Sequence, residues 1–238
     1  MKKKIVMFGV VMIAYAGFSA SLRTAGSDID IYTTYFPAVI GKELVYENFG
    51  SNDKLESSEI MTVKDVRDTT GGIVIDAHAI SKDKKGEVVL DNDFSFSCID
   101  GVFRISFESI MDASMMDAYK DMEIEMTQTE LAFPKSMDVA TSLPDGTMTV
   151  KIKTNGTQIM TMTMNVTNRK IEAKESITTP ADTFEAFKMT ETQHTSMMFM
   201  NKTYKSVNWI VPGIGSVRSE MYTDKDKLNS YRILTSIK

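Results

Sequence analysis

Turn-forming residues punctuate this chain every dozen or so positions: Thr70-Gly71-Gly72, Lys84-Lys85-Gly86, Asp100-Gly101, Asp145-Gly146, Asn155-Gly156 and Asn168-Arg169-Lys170. The stretches between them are short and rich in Val, Ile, Thr, Met and Phe. Many alternate apolar with polar, as in Gly72-Ile73-Val74-Ile75-Asp76-Ala77-His78-Ala79-Ile80. Period-two patterning bounded by turn residues predicts half-buried strands in an antiparallel, mainly β domain. No Pro-, Gly- or Ser-rich linker divides it, so residues 22–238 read as a single β-rich domain.

Two segments refine that expectation. Ser109 to Met122 places Ile110, Met111, Met115, Ala118, Tyr119 and Met122 three and four apart, without Gly or Pro, and predicts one short helix over about 109–122. Its single apolar stripe must lie on something, and the sheet is the available surface. Around Asn155-Gly156, Met148, Val150 and Ile152 alternate on one side and Met160, Met162, Met164 and Val166 on the other. A two-residue turn would put these apolar sets on different faces of the ribbon. A three-residue loop, Thr154-Asn155-Gly156, pairs Val150 with Met160 and Met148 with Met162, so the expectation is that loop, with Gly156 left-handed in a bulge.

The first 21 residues differ from all this. Lys2, Lys3 and Lys4 precede an uncharged run from Ile5 to Ala16, and the small residues Ser19, Ala20 and Ser21 follow. That order is a cleavable signal peptide, 1–21, too short to serve as a spanning helix. The remainder holds 24 Lys and Arg against 32 Asp and Glu, a net of −8 that repels nucleic acid and anionic headgroups. No further stretch reaches membrane length, so the expected form after cleavage has no integral membrane segment. The only Cys is Cys98, far from the cleavage region. A lipid-anchoring Cys and an internal disulfide are therefore both absent from the expectation, and burial must hold the domain together.

Chemistry is sparse. His78 and His194 have no second His or Cys at ligand spacing, no Gly-x-Ser-x-Gly elbow or phosphate-binding Gly loop occurs, and Cys98 reads as a small buried hydrophobe. The expectation is a protein that is not an enzyme and uses no cofactor. Methionine is the exception, with 16 after residue 21. Met148, Val150, Met160, Met162 and Met164 are candidate lining for a hydrophobic ligand, since Met fills or lines adaptable apolar space. Met197, Met198 and Met200 beside His194 form a lesser candidate for Cu(I), although no metal site is the primary expectation. Trp209, Pro212, Gly213, Gly215 and Gly156 read as architectural: a Trp at a strand end, a Pro that stops the ladder, and Gly for irregular turns.

Several of these motifs carry a resemblance. Tyr35-Phe36-Pro37, Asp117-Ala118-Tyr119-Lys120-Asp121-Met122-Glu123, Leu143-Pro144-Asp145-Gly146, Thr167-Asn168-Arg169-Lys170, Thr179-Pro180-Ala181-x-Thr183-Phe184 and Trp209-x-x-Pro212-Gly213-x-Gly215 resemble the TapB-like exported proteins of Bacteroidetes, domain-of-unknown-function family 3108. Asp182 stands where that pattern usually has Gly, and Ala186 where Cys is common. The resemblance implies a protein of the periplasm or envelope of a Gram-negative bacterium. It also implies a single curved sheet, half-barrel or barrel-like, wrapping the helix in the manner of periplasmic lipoprotein carriers. Three functions follow in order: a non-catalytic binding domain for a lipid or lipidated envelope partner, an envelope assembly protein with a filled core, and a Met-based Cu(I) binder.

Overall fold

The computed structural model describes residues 16–17, 36–100, 102–105, 122–128, 137–197 and 200–238. The strands are β1 (Ala16–Gly17), β2 (Glu43–Gly50), β3 (Leu55–Thr69), β4 (Gly72–Asp83), β5 (Val88–Ile99), β6 (Val102–Ile105), β7 (Glu123–Gln128), β8 (Gly146–Thr154), β9 (Thr157–Thr178), β10 (Thr183–Met197), β11 (Met200–Val211), β12 (Ile214–Thr223) and β13 (Leu228–Ile237). All join one antiparallel sheet in the order β6-β5-β4-β3-β2-β13-β12-β11-β10-β9-β8-β7, with β1 set against β12. Two meanders, β2–β6 and β7–β13, thus meet through their first and last strands. Val45 lies opposite Ser236 and Tyr46 opposite Leu234, and Glu43 and Lys238 exchange both backbone hydrogen bonds. The sheet is not closed into a barrel, because β6 and β7 end the path without pairing each other. The mainly β, single-sheet expectation holds; the helix expected over 109–122 falls on residues outside those described, apart from Met122.

Alternation explains the core. Ile73, Ile75, Ala77 and Ala79 of β4 are buried, as are Met148, Val150 and Ile152 of β8, while the residues between them are more exposed. These side chains share the inner face with Leu44, Met61, Val63, Met189 and Leu234. Bulges interrupt most strand pairs, including β3 with β4 at Val63/Asp65 and β9 with β10 at two places. Each adds local twist, which curls a sheet of this width over its core. In β10 the buried side changes. Phe184 and Ala186 are buried on one face, and beyond Phe187–Lys188 burial passes to Met189, Glu191 and Gln193 on the other.

Two sequence expectations need correction. The β8–β9 hairpin uses a two-residue turn, with Asn155 at φ 49° and Gly156 at φ 73° between the Thr154–Thr157 pair. The common apolar face is recovered by a bulge, since Lys153 opposes Gln158 while Ile152 opposes Met160, leaving Ile159 extra. Val150 therefore faces Met162 and Met148 faces Met164, two residues along from the partners expected. The demand for one buried face was sound; a bulge met it instead of a longer loop. Second, Asn168-Arg169-Lys170 is not a turn. Asn168, at φ 53°, is the extra residue of a bulge inside the 22-residue strand β9.

Glycine matters most at Gly72, where an added Cβ would stand 1.8 Å from the Cys98 carbonyl oxygen, whereas at Gly156 it would meet nothing within 4 Å. Gly72→Ala should therefore cost about 3 kcal/mol or more through overpacking against backbone. Gly156→Ala should cost only about 1–2 kcal/mol, from its left-handed φ. Urea unfolding of the two variants checks the order; equal costs would contradict the close approach.

Candidate functional site

The Met residues singled out from sequence do come together. Met148, Val150 and Met164 are 6%, 3% and 6% exposed, and Met160 and Met162 are half-buried on the same inner face. Met162 lies opposite Met197, and Met197 opposite Met200, so both latter residues extend that face and are themselves half-buried. A strip of thioethers thus grades from fully covered to partly open. The Cu(I) grouping is divided. His194 is one strand position out of phase with Met197 and points to the reverse face, where its Nδ1 is 2.8 Å from Thr203 Oγ1. Met198 lies outside the described residues. Among the described residues no three or more His, Cys, Asp or Glu side chains are placed to hold a metal ion.

The architectural residues fall as follows. Trp209 is 8% exposed, and its indole N–H donates to Glu175 Oε1 at 2.7 Å with the Lys188 ammonium 5.4 Å from the ring centre. Pro212 and Gly213 form the β11–β12 turn, Gly213 at φ 70° as a Pro-Gly type II turn requires. Gly215 sits in β12 at φ 83° beside a bulge. Cys98 is buried, and its ladder partners are Ile73 on β4 and Phe103 on β6. His78 faces Asp91 and Asp93, at 3.2 and 2.7 Å.

What the sequence does not announce is a lane of buried polar side chains across the inner face. Starting beside Met189 on β10, the buried Asn208, Ser219 and Arg232 and the half-buried Asn48 and Ser57 stand opposite one another in turn across β11, β12, β13, β2 and β3. Ser219 Oγ donates to Asn208 Oδ1 at 2.7 Å, and Asn208 Nδ2 donates to Ser206 Oγ at 3.0 Å; Ser216 Oγ is 2.7 Å from Ser219 Oγ. At one end the Asn168 bulge turns Arg169 inward, 1% exposed, where its Nη1 donates to the Pro144 carbonyl at 2.7 Å and its Nε lies 3.7 Å from Glu191 Oε2. Gln193 Nε2 donates to the other Glu191 oxygen at 2.9 Å. At the opposite end Arg232 Nη2 donates to Glu59 Oε1 at 2.7 Å, with its guanidinium carbon 3.8 Å above the Tyr46 ring. Burial holds the Tyr46 phenol protonated well above its ordinary range. Each group desolvated here needs a partner, and the hydrogen-bonded rows supply most of them.

Burial also raises the Glu191 carboxyl above its ordinary value, against the pull of Gln193 and Arg169. A raised folded-state pKa means that the native state binds the proton more readily than the unfolded chain. The resulting stabilisation is full below the ordinary carboxylate value and is lost as pH rises through the raised one. Wild-type protein should therefore gain stability on acidification from neutral pH at this group, and Glu191→Gln should remove that component. Thermal unfolding of both proteins between pH 5 and pH 8 reads the difference; parallel profiles would sink the assignment.

A family model described as DUF3108-like matches residues 40–234. No curated protein matches the chain. Two crystal structures share the fold at low identity. One is an inferred exported protein with a YmcC-like fold from Bacteroides fragilis, 23% identical, TM-score 0.67, covering 86% of this chain and 99% of that one. The other is an inferred lipoprotein from Parabacteroides distasonis, 22% identical, TM-score 0.69, covering 87% of this chain and 99% of that one. Among the described residues no helix is long and apolar enough to cross a membrane.

Proposed function

The chain belongs to the DUF3108-like family, and we propose that it is an exported, non-catalytic envelope domain that binds a hydrophobic ligand, a lipid or a lipidated partner. The graded Met strip carries this reading. Met148, Val150 and Met164 form a covered floor, and Met160, Met162, Met197 and Met200 continue it as a half-buried surface. Unbranched, polarizable side chains suit a ligand of variable shape, because they repack at little cost. Export is supported by the Lys2–Lys4, Ile5–Ala16 and Ser19–Ser21 order, and both fold neighbours are described as exported or lipoprotein, consistent with the periplasm.

A second reading, an envelope assembly protein with a filled core, draws on the same floor: Met148, Val150, Ile152 and Met164 are all buried and belong to the main hydrophobic core. The two differ in a direct measurement. Protein recovered from the envelope fraction should have an intact mass lacking residues 1–21 or 1–19, and should enhance the fluorescence of N-phenyl-naphthylamine. Met162→Glu should abolish that enhancement with only a small shift in unfolding midpoint, since the site is half-buried. A folded wild type with no probe binding and no co-purifying lipid in native mass spectra would favour the assembly reading.

A further inference from the structure

The reverse face of the sheet carries a second feature, chemically unlike the Met strip. Where the Asn168 bulge turns Arg169 inward, the neighbouring outward side chains form a cleft of about 700 Å³. Its floor is set by register: Thr190 faces Lys170 on β9 and Val207 on β11, Thr192 faces Lys205, and Lys205 faces Tyr222 on β12. The segment containing Ser142 and Asp145 walls one side, and Asp226, in the β12–β13 turn, walls the other.

We propose that this cleft binds a neutral oligosaccharide, with the Tyr222 ring as its stacking platform and Thr190, Thr192, Asn168 and Asp226 as its polar contacts. The charges there are already engaged with one another. Lys170 Nζ is 2.7 Å from Glu172, Lys205 Nζ is 2.6 Å from Asp226, and Thr190 Oγ1 donates to Glu172 at 3.3 Å. Among the described residues the outward lining holds two ammonium groups and three carboxylates, a balance that attracts neither phosphate nor a strongly cationic ligand. Hydroxyl and amide groups both donate to and accept from sugar hydroxyls, a carboxylate accepts from them, and a cleft of this size falls in the range that small-molecule sites occupy. The Tyr222 hydroxyl donates to Glu220 at 2.5 Å, a bond that holds the ring in one orientation, and burial together with that bond pushes its pKa up to about 12. A fixed aromatic face rimmed by polar groups suits the apolar face of a pyranose.

The site is independent of the Met strip, and its test separates the two. Calorimetric titration of the exported chain with chitotriose, maltotriose and cellotriose should show binding of at least one at millimolar concentration. Tyr222→Ala should weaken it about tenfold, roughly the contribution of one ring contact. Tyr222→Phe, which keeps the ring but loses the bond to Glu220 that fixes it, should weaken binding less than Tyr222→Ala does, and Met162→Glu should bind as wild type does. Thr190→Val, at a half-buried strand site that tolerates β-branching, should weaken binding without unfolding the sheet and covers the case in which Tyr222→Ala does not fold. Folded protein that binds none of the three sugars, binding undisturbed by Thr190→Val, or displacement by inorganic phosphate would each overturn the proposal.

Discussion

The pairing of β2 with β13 is the contact on which the rest of this molecule rests. Every other neighbour in the β6-to-β7 path is also a neighbour in sequence, so each meander can form from local hairpins. Among the described strands, the two meanders pair only through Leu44–Gly50 against Ser230–Ile237. The seam is reinforced in depth by Arg232, which reaches from β13 across the Tyr46 ring on β2 to Glu59 on β3. A charge-assisted bond between largely buried groups is costly to break from one side, because the other charge remains desolvated. With no disulfide, this clamp and the apolar burial of Leu44, Met61 and Leu234 around it hold two half-sheets as one.

Once joined, the sheet works with two unlike faces, and β-bulges decide what each displays. At Asn168 the extra residue sends Arg169 into the interior and frees the next outward positions for Lys170, Thr190 and Thr192. Near Glu172 a second bulge accompanies the change of buried side along β10, from Phe184 and Ala186 to Met189 and Glu191. An unbulged ladder would keep one face apolar from end to end. Here the inner face combines a thioether strip with a hydrogen-bonded polar lane, and the reverse face combines buried Trp209 with a polar cleft.

Much of the fold was legible because glycine marks turns for a stereochemical reason. Gly71, Gly86 and Gly156 all adopt φ between 73° and 85°, and all sit where sequence placed turns. The Gly50–Lys54 and Thr223–Lys227 turns escaped notice because their left-handed residues are Asp53 and Asp226, each at φ 58° and not marked by a following glycine. Asn168 was misread for a related reason: the same left-handed tolerance serves a turn or a bulge, and local sequence does not separate them. The Met strip was visible through alternation, but its register was not, since the two-residue turn and the extra Ile159 together shift it by two. The polar lane gave no signal at all. Glu191, Gln193, Ser206 and Asn208 lie in strands whose other face is also polar, so period-two reading has no contrast to use.

The seam also fixes an order of events. Thr235 bonds to the Val45 carbonyl across 190 positions of chain, while the hairpins on either side close over a few residues. During synthesis β2 emerges early and must wait, one edge unpaired, until almost the whole polypeptide has followed. An exposed strand edge recruits other strands, including those of another copy. The long-range closure should thus be the slow, concentration-sensitive step of folding, and a chain delivered unfolded across a membrane would meet it only on the far side.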